Sequence, residues 1–554
     1  MVRGLVMMVH DSAASSLVCW EEWTAAVLLT GYTCAHAVDE TSAVDDALRW
    51  GTYHSGHYFG IRSRTSPFHV SAGLLWSTSQ EPKLRHECLE SDRLEQYGWL
   101  EHDGRTFGSQ AIRDQHNNLL LDTTFLKPPT SPTTFATRSW AARVAVTPLR
   151  TDAALPDTAS LFFYLDLGCE DDSLTHACRR DTQQVQLTFS PSIVNDLTLH
   201  LLYDEAPDEV LPTTPVVVMD GMLPSFHSAF QAKFQAAFPH ISPEFEPLGQ
   251  AALSNLIGGI GYFYGRYACW SSLAEARVPA EFITQFPTHA NPPSLLLAVE
   301  KLLPHLSQSA VLHRWWPQLR KWFAWYQRTQ AGEEPHTFRA ILAKVALAVG
   351  DTVEARTFSE LSQAYLDTMN RLHWDPATSL YYDYGLHSDD GLFEDHLERL
   401  QFVRRVGYVS FFPLFLQILP LNSPKLAPLG TLVANELLSL HGLMSLSPRD
   451  LYFERPNAPG DAPYWRGPIW MNINYLALVS FQHYATHASD KSVREQYQSL
   501  YDTLRDRVVA AISHEYKATG YLYEQYNPHT GRGQRCHPFS GWTALVVNIL
   551  AETY

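Results

Sequence analysis

Residues 464–475 bring aromatic and hydrogen-bonding side chains together within a dozen positions. The segment holds two Trp, two Tyr, one Arg and two Asn, and Asp461 lies just before it. Tryptophan offers a flat apolar face while Arg and Asn supply directed hydrogen bonds, which suits recognition of a hydroxyl-rich ligand. The same residues could instead form a helix start, with Asp461 as its cap and Trp470 and Tyr475 in the core. Arg466 favours the ligand-binding interpretation, because a buried arginine needs a partner.

A second cluster surrounds Glu524. This carboxylate lies among three tyrosines within residues 521–526, and a segment containing glycine and tryptophan follows it as far as Trp542. Partial desolvation by aromatic rings would raise the pKa of a glutamate toward that of a useful general base. A surface glutamate beside packing tyrosines is the alternative. The neighbouring glycine and tryptophan pattern favours the general-base interpretation.

Hydrolysis of a glycosidic bond normally uses a pair of carboxyl groups. Glu524 would therefore need a second acidic residue, at a distance that leaves room for a water molecule. Asp389 and Asp390 are adjacent, but their polar surroundings are typical of a solvated turn. Asp383 and Asp461 stand in more aromatic sequence and are better candidates. Spacing alone does not choose between them.

Composition narrows the class of protein. The chain of 554 residues carries 41 basic and 58 acidic side chains, a net charge of −17, which argues against a nucleic-acid-binding protein because such proteins need a basic surface. The glycine-rich run 258–265 lacks the acidic partner of a dinucleotide site, so it predicts a turn. The seven cysteines are dispersed and odd in number, which predicts no disulfide framework, although Cys169 and Cys178 could pair.

Two hydrophobic patterns divide the chain. Residues 50–215 alternate apolar and polar positions in short runs such as 68–74 and 160–165, which predicts an antiparallel β-sandwich. From about residue 225, apolar residues recur three and four apart, which predicts paired helices with the aromatic and polar clusters in the loops between them. The predicted helical segments are 226–238, 294–306, 311–328, 338–349, 354–372, 407–420, 428–440, 472–486 and 492–515.

The N-terminal segment, residues 1–47, has an ambiguous pattern. Residues 24–37 form a short apolar run that ends in an Ala-x-Ala sequence, as a signal peptide does. The run is too short to span a bilayer, and Glu21 and Glu22 stand where a signal would carry Lys or Arg. A signal or anchor remnant and a misassigned chain start both stay open.

Multi-residue strings along both halves resemble those of glycoside hydrolase family 63, the processing α-glucosidase I enzymes that act on mannosyl-oligosaccharides. The resemblance runs from about residue 48 to the C-terminus. Strings in the N-terminal half are 50–53, 58–60 and 98–104. Strings in the C-terminal half are 252–256, 258–265, 289–293, 407–410, 464–467 and the region 524–542. Strings that recur in the same order are specific to a family.

The resemblance implies a β-sandwich domain, residues 48–220, followed by an all-α (α/α)6 toroid, residues 221–554. It implies hydrolysis, with inversion, of the terminal α-1,2-linked glucose on the triglucosylated N-glycan precursor of nascent glycoproteins. It also implies membrane anchorage at the lumenal face of the endoplasmic reticulum, and no metal or organic cofactor. Glu524 takes the place of the general base. The substrate-binding residues that we expect are Tyr464, Trp465, Arg466, Trp470, Tyr523, Tyr526, Phe539 and Trp542.

Two stretches depart from the family pattern. Family members carry a Trp-Asp-Glu-Gly-Phe-His stretch and a Gly-Leu-Asp-Asp-Tyr-Pro-Arg loop that contains the general acid. Here residues 265–276 and 332–338 pass both positions without them, so the sequence has no general acid of the family type and the toroid is incomplete. Glu333 and Glu334 lie near the second position, but an acid must be placed within a fraction of an ångström.

Because of these gaps, two other interpretations stay open. The chain could be a catalytically inactive glycan-binding homologue that keeps the aromatic residues of the pocket. It could also be a truncated product of alternative splicing or of an error in the gene model, since missing toroid segments expose apolar helix faces.

Overall fold

A computed structural model describes nine strands between residues 58 and 203, and residues 215–259, 295–306, 310–329, 339–387, 399–457, 461–537, 539 and 541–552. The chain divides into two compact units. The first comprises Met1–Pro287, Thr519–Leu522 and Cys536–Val547, and the second comprises Thr288–Ala518, Tyr523–Arg535 and Asn548–Tyr554. The predicted domain boundaries at 47/48 and 220/221 stay predictions.

The first unit contains two antiparallel sheets, with strand orders β1-β2-β7-β8 and β3-β4-β5-β6-β9. The strands are β1 (Tyr58–Arg62), β2 (Phe68–Ser77), β3 (Leu94–His102), β4 (Phe107–Asp114), β5 (Leu119–Leu126), β6 (Trp140–Pro148), β7 (Ser160–Cys169), β8 (Asp181–Thr188) and β9 (Leu197–Tyr203). The alternating runs 68–74 and 160–165 lie in β2 and β7, which pair with each other. The antiparallel strands that alternation predicts are therefore present.

Two helices follow the strands in the first unit, α1 (Pro215–Ala237) and α2 (Glu246–Gly259). Helix α1 begins ten residues before the predicted change near 225. Pro224 lies inside the helix and interrupts the apolar pattern, so the pattern did not predict the first part of the helix. Its Leu223 and Phe230 form a buried cluster with Phe107 of β4 and Leu126 of β5. Helix α2 continues through Gly259, so the turn predicted at the start of run 258–265 is wrong for its first two glycines.

The second unit is mainly helical. Its helices are α3 (Leu295–Leu306), α4 (Ala310–Thr329), α5 (Arg339–Ala348), α6 (Thr352–Leu372), α7 (Phe412–Phe415), α8 (Leu426–Glu436), α9 (Met471–His487) and α10 (Lys491–Thr519), the last of which ends at the unit boundary. A last helix, α11 (Val546–Ala551), spans both units along the chain. Short hairpins pair β10 (Trp374–Asp375) with β11 (Leu380–Tyr381), β12 (Asp383–His387) with β13 (Arg399–Val403), and β14 (Gln525–Tyr526) with β15 (Gly533–Gln534). The predicted helical segments other than 407–420 are helices. The helix predicted at 226–238 begins eleven residues earlier, at Pro215, and the remaining ends differ by at most four residues.

The helix predicted at 407–420 is wrong. The structure has one 3-10 turn at Tyr408–Phe411 and the four-residue helix α7. Gly407 is extended and lies against Ser445, where a Cβ atom would come within 2.6 Å of the carbonyl oxygen. Pro413 stands at the start of α7, and a proline is tolerated there but not inside a longer helix.

Buried hydroxyl groups tie α9 and α10 to the segment 414–426. Ser480 Oγ of α9 donates to Leu414 O at 2.7 Å, and Tyr484 Oη donates to Leu419 O at 3.0 Å. Tyr497 Oη of α10 donates to Leu426 O at 2.8 Å. Each bond satisfies a buried polar atom, so the hydroxyl groups hold α9 and α10 against this segment. Within the described ranges, none of the helices has the length and apolar character needed to cross a membrane.

Candidate active site

Two separate parts of the second unit are joined at the predicted site. Ile469 N donates to Tyr526 O at 2.8 Å, and Tyr526 N donates to Ile469 O at 3.0 Å. This two-way bridge places the aromatic segment that starts at Tyr464 beside the strand that follows Glu524. The two clusters found in the sequence are therefore one structural feature, although about 60 residues separate them along the chain.

The hairpin that follows Glu524 depends on two glycines. Gly531 has a φ of 69° and lies against His441, where a Cβ atom would come within 2.7 Å of the imidazole ring. Gly533 faces the ring of Tyr523, where a Cβ atom would come within 2.1 Å of Cγ. Only glycine fits at Gly533 without displacing the tyrosine, so the hairpin fixes the position of Tyr523 next to the base candidate.

Glu524 forms a buried pair with Tyr464. The Tyr464 hydroxyl donates to Glu524 Oε1 at 2.5 Å, and each residue is 6% exposed. A hydrogen bond to a charged acceptor in a buried place is short and strong. The bond fixes the orientation of the carboxylate, which a general base needs.

Tyr464 is itself held by two tryptophans. The ring planes of Trp465 and Trp470 are parallel to within 10°, with centroids 3.8 Å apart. The Trp470 ring meets Tyr464 edge-on at 4.6 Å, and its indole N–H donates to Tyr464 O at 3.1 Å. Trp470 is fully buried whereas Trp465 is half-buried. In this arrangement Trp465 can offer a face to a ligand, and Trp470 supports it from behind.

A third layer lies under the tryptophans. The Tyr408 hydroxyl donates to Leu443 O at 2.6 Å and accepts bonds from Trp470 N and Asn474 Nδ2. Burial raises the pKa of Tyr408. Asn474 is fully buried and bonds to Leu443 on both its amide oxygen and nitrogen. These polar atoms are satisfied within the protein, so they stabilise the site rather than bind a ligand.

Arg466 does not turn toward Glu524. Its Nη1 donates to Pro456 O at 2.7 Å, and the guanidinium lies 5.3 Å from the ring centroid of Tyr452. It is half-buried, and these contacts supply the partner that the sequence argument required. Asp461 is not a helix cap: the residue before α9 is Trp470, with no side-chain cap.

A different arginine, Arg535, lies against Tyr464. Its guanidinium lies 4.5 Å from the ring centroid of Tyr464. Its Nη2 donates to Asp461 Oδ1 at 3.1 Å and to Ala462 O at 2.7 Å. Arg535 was not among the site residues predicted from the sequence. The available signal was the pair Gly531 and Gly533, which predicts a tight turn that returns the chain to Glu524.

The other predicted aromatic residues are buried. Tyr526 is fully buried, and burial raises the pKa of its hydroxyl, which accepts a 3.4 Å bond from Tyr523 N. Tyr523 is 9% exposed. Phe539 and Trp542 belong to the first unit, where their ring centroids lie 4.6 Å apart. Their assignment to the substrate site stays a prediction.

The candidates for a second carboxylate have other surroundings. Asp383 is exposed on β12, opposite Val403. Asp461 is paired with Arg535. Asp389, Asp390, Glu333 and Glu334 lie outside the described residues. Across the ranges that the structure describes, no group of three or more His, Cys, Asp or Glu side chains is arranged to hold a metal ion.

Comparison with known proteins decides the family. Residues 47–199 match the glycosyl hydrolase family 63 N-terminal domain, and residues 217–272, 266–341 and 339–552 match its C-terminal domain. The chain belongs to glycosyl hydrolase family 63. The expected resemblance is therefore confirmed, and the chain is a member of a family of glycosidases.

Curated relatives extend over nearly the whole chain. Alpha-glucosidase 2 of Arabidopsis thaliana is 25% identical, with 92% of this chain and 94% of the relative covered. Mannosyl-oligosaccharide glucosidase GCS1 of the same plant is 26% identical, with 92% and 87% covered. Among solved structures, a bacterial glucoamylase complexed with acarbose has 8% identity and a TM-score of 0.42 over 91% of this chain and 94% of its own.

The family 63 match is interrupted at two places. The C-terminal domain matches as three separate segments, and neighbouring segments overlap on this chain at residues 266–272 and 339–341. The alignment with Alpha-glucosidase 2 is 749 positions long, which exceeds the 554 residues of this chain by 195. At least that many positions of the relative therefore have no counterpart here.

Proposed function

We propose that this chain is an inverting glucosidase that removes the terminal α-1,2-linked glucose from the triglucosylated N-glycan precursor. Membership of family 63 and the relative named mannosyl-oligosaccharide glucosidase support the substrate class. The single observation that carries the mechanism is the buried pair of Glu524 and Tyr464, bonded at 2.5 Å.

Glu524 acts as general base in this proposal. A water molecule beside the carboxylate loses its proton to Glu524 as its oxygen attacks the anomeric carbon. The bond from that carbon to the glycosidic oxygen breaks, and the glucose is released with inverted configuration. Tyr464 holds the carboxylate in place, and the exposed part of Trp465 is the surface on which the apolar face of the sugar can stack.

The leaving oxygen needs a proton, and without a family-type acid loop this proton comes from solvent water. General acid assistance contributes about 10²–10⁴-fold to such reactions. We therefore expect slow release of glucose from the natural glycan. A substrate whose leaving group needs no proton, such as α-D-glucosyl fluoride, avoids this requirement.

We also propose a domain architecture and a cellular location for the chain. Two antiparallel sheets in the first unit and the successive helices of the second support a β-sandwich followed by an incomplete (α/α)6 toroid. The substrate is a glycan on nascent glycoproteins, so the site of action is the lumenal face of the endoplasmic reticulum. Residues 24–37, the candidate signal or anchor, lie outside the described residues.

Two substrates test the function. Purified chain is incubated with α-D-glucosyl fluoride and with triglucosylated glycan, beside the Glu524→Gln variant. We expect fluoride release by the wild-type chain that Glu524→Gln reduces to the spontaneous rate, and much slower glucose release from the glycan. Glycan binding without turnover of either substrate would contradict the enzymatic proposal and identify a glycan-binding homologue.

A further inference from the structure

Arg535 has an unusual backbone conformation next to the base candidate. Its φ is 62°, in the left-handed region that residues other than glycine adopt rarely. Such a conformation persists only where the surroundings hold it, and it is frequent at functional positions. At Arg535 the holding contacts come from the side chain, which reaches back to the segment that contains Tyr464.

The contacts of Arg535 are specific in direction. Nη2 is bonded to Asp461 Oδ1 and Ala462 O, two and three residues before Tyr464. In the amide orientation that satisfies both neighbours, Gln525 accepts from Arg535 Nε at 2.7 Å and donates to Tyr464 O at 3.3 Å. The guanidinium side chain is 26% exposed, so it is mostly removed from water. These contacts hold the guanidinium N–H donors of Arg535 between the β14–β15 hairpin and the segment that contains Tyr464.

The cation lies over the ring that bonds the base. The guanidinium carbon of Arg535 is 4.5 Å from the Tyr464 centroid, and the Tyr464 hydroxyl donates to Glu524. A cation at the face of an aromatic ring attracts its electron density, most strongly where water is excluded. Withdrawal of electrons from a phenol makes its O–H a stronger donor, and neighbouring hydrogen bonds polarise one another in a buried network.

We infer that Arg535 is a positioning residue that acts on the general base through Tyr464: its cation strengthens the bond from the Tyr464 hydroxyl to Glu524 and so fixes the reactive carboxylate. This inference rests on the proposed function of Glu524. It assigns to the side chain of Arg535 a role beyond the joining of two loops.

Three substitutions separate the charge from the structure. Arg535→Met removes the cation and keeps a long side chain. Arg535→Gly removes the side chain at a φ that glycine adopts without strain, so it introduces no new steric conflict in the backbone. Arg535→Lys restores the cation. Arg405→Met is the matched control, because Arg405 lies 4.8 Å from the ring centroid of Tyr452, pairs with Asp450 and is 24% exposed.

The first measurement is hydrolysis of α-D-glucosyl fluoride. We expect Arg535→Met and Arg535→Gly to lower kcat about 3–30-fold with little change in KM, as loss of a desolvated cation–π contact implies. Arg535→Lys should recover most of the loss, and Arg405→Met should match the wild type. Unchanged kcat in both Arg535→Met and Arg535→Gly would overturn the inference.

The second measurement does not need turnover. Proton NMR follows the hydroxyl resonance of Tyr464, which Tyr464→Phe identifies by its disappearance. We expect an upfield shift in Arg535→Met that Arg405→Met lacks, because the hydrogen bond weakens. A resonance that stays in place would show a merely structural arginine. If the wild-type chain hydrolyses no glucosyl fluoride, the proposed function fails, while this resonance still decides the role of Arg535.

Discussion

Deletion of a single oxygen atom, that of the Tyr464 hydroxyl, removes the hydrogen bond from Tyr464 to Glu524. Tyr464→Phe deletes the hydroxyl and keeps the ring that meets Trp470 at 4.6 Å. Both partners are 6% exposed, so solvent screening is small. A bond to a charged group contributes about 1.5–3 kcal/mol, which corresponds to a factor of about 10–150. We expect kcat for α-D-glucosyl fluoride to fall by that factor, with KM nearly unchanged because the aromatic surface remains.

A second tyrosine–glutamate hydrogen bond provides the control, and its glutamate is 51% exposed and also pairs with Arg505. Tyr501 is 5% exposed and donates to Glu552 Oε1 at 3.2 Å, in the same unit as Glu524. Tyr501→Phe therefore loses a tyrosine–glutamate bond, and we expect kcat to stay at the wild-type value. Tyr464→Phe in the Glu524→Gln background should cause no further loss, because residues that act as a unit are not additive. Full activity in Tyr464→Phe, or equal losses in the two phenylalanine variants, would refute the reasoning.

Three further predictions concern stability. Gly533→Ala should lower the melting temperature and the activity together, because its Cβ atom would lie 2.1 Å from the Tyr523 ring; unchanged values would contradict the packing. Trp470→Ala should destabilise the second unit by about 3–5 kcal/mol in denaturant unfolding, whereas Leu451→Ala, 59% exposed, should have little effect. Burial lowers the pKa of His102 from 6.5 to about 4, so the unfolded chain binds more protons between these values and stability is lost as the pH falls through them. Thermal unfolding from pH 7 to pH 4 should show this loss, and His102→Gln should reduce it.

The helices were predictable because burial repeats at the helical period. Segments 354–372 and 472–486 present apolar faces over several turns, and both are helices. The segment 407–420 has the same spacing of apolar residues but does not form one helix. Pro413 lies within it, and Gly407 is in close contact with Ser445. A contact between residues far apart in sequence decided the local structure there, and a periodic pattern does not contain that contact.

The site was predictable in composition but not in orientation. Glu524 and Tyr464 were found from their aromatic surroundings, and the structure joins them. Arg535 lies against Tyr464 because the hairpin turns it there, whereas Arg466 lies against Tyr452, and residue type does not show this difference. Trp470 likewise has the residue type of a sugar platform, but the stack places it behind Trp465.

The configuration of the first glucose released tests the central claim most directly. Proton NMR can record the anomer formed from α-D-glucosyl fluoride before mutarotation, for the wild-type chain and for Glu524→Gln. A base that activates water opposite the leaving group gives β-glucose, and loss of that base stops its formation. We predict β-glucose from the wild-type chain and only spontaneous hydrolysis with Glu524→Gln. Release of α-glucose, or an equal rate of enzymatic release by Glu524→Gln, would contradict the assignment of Glu524 as the general base.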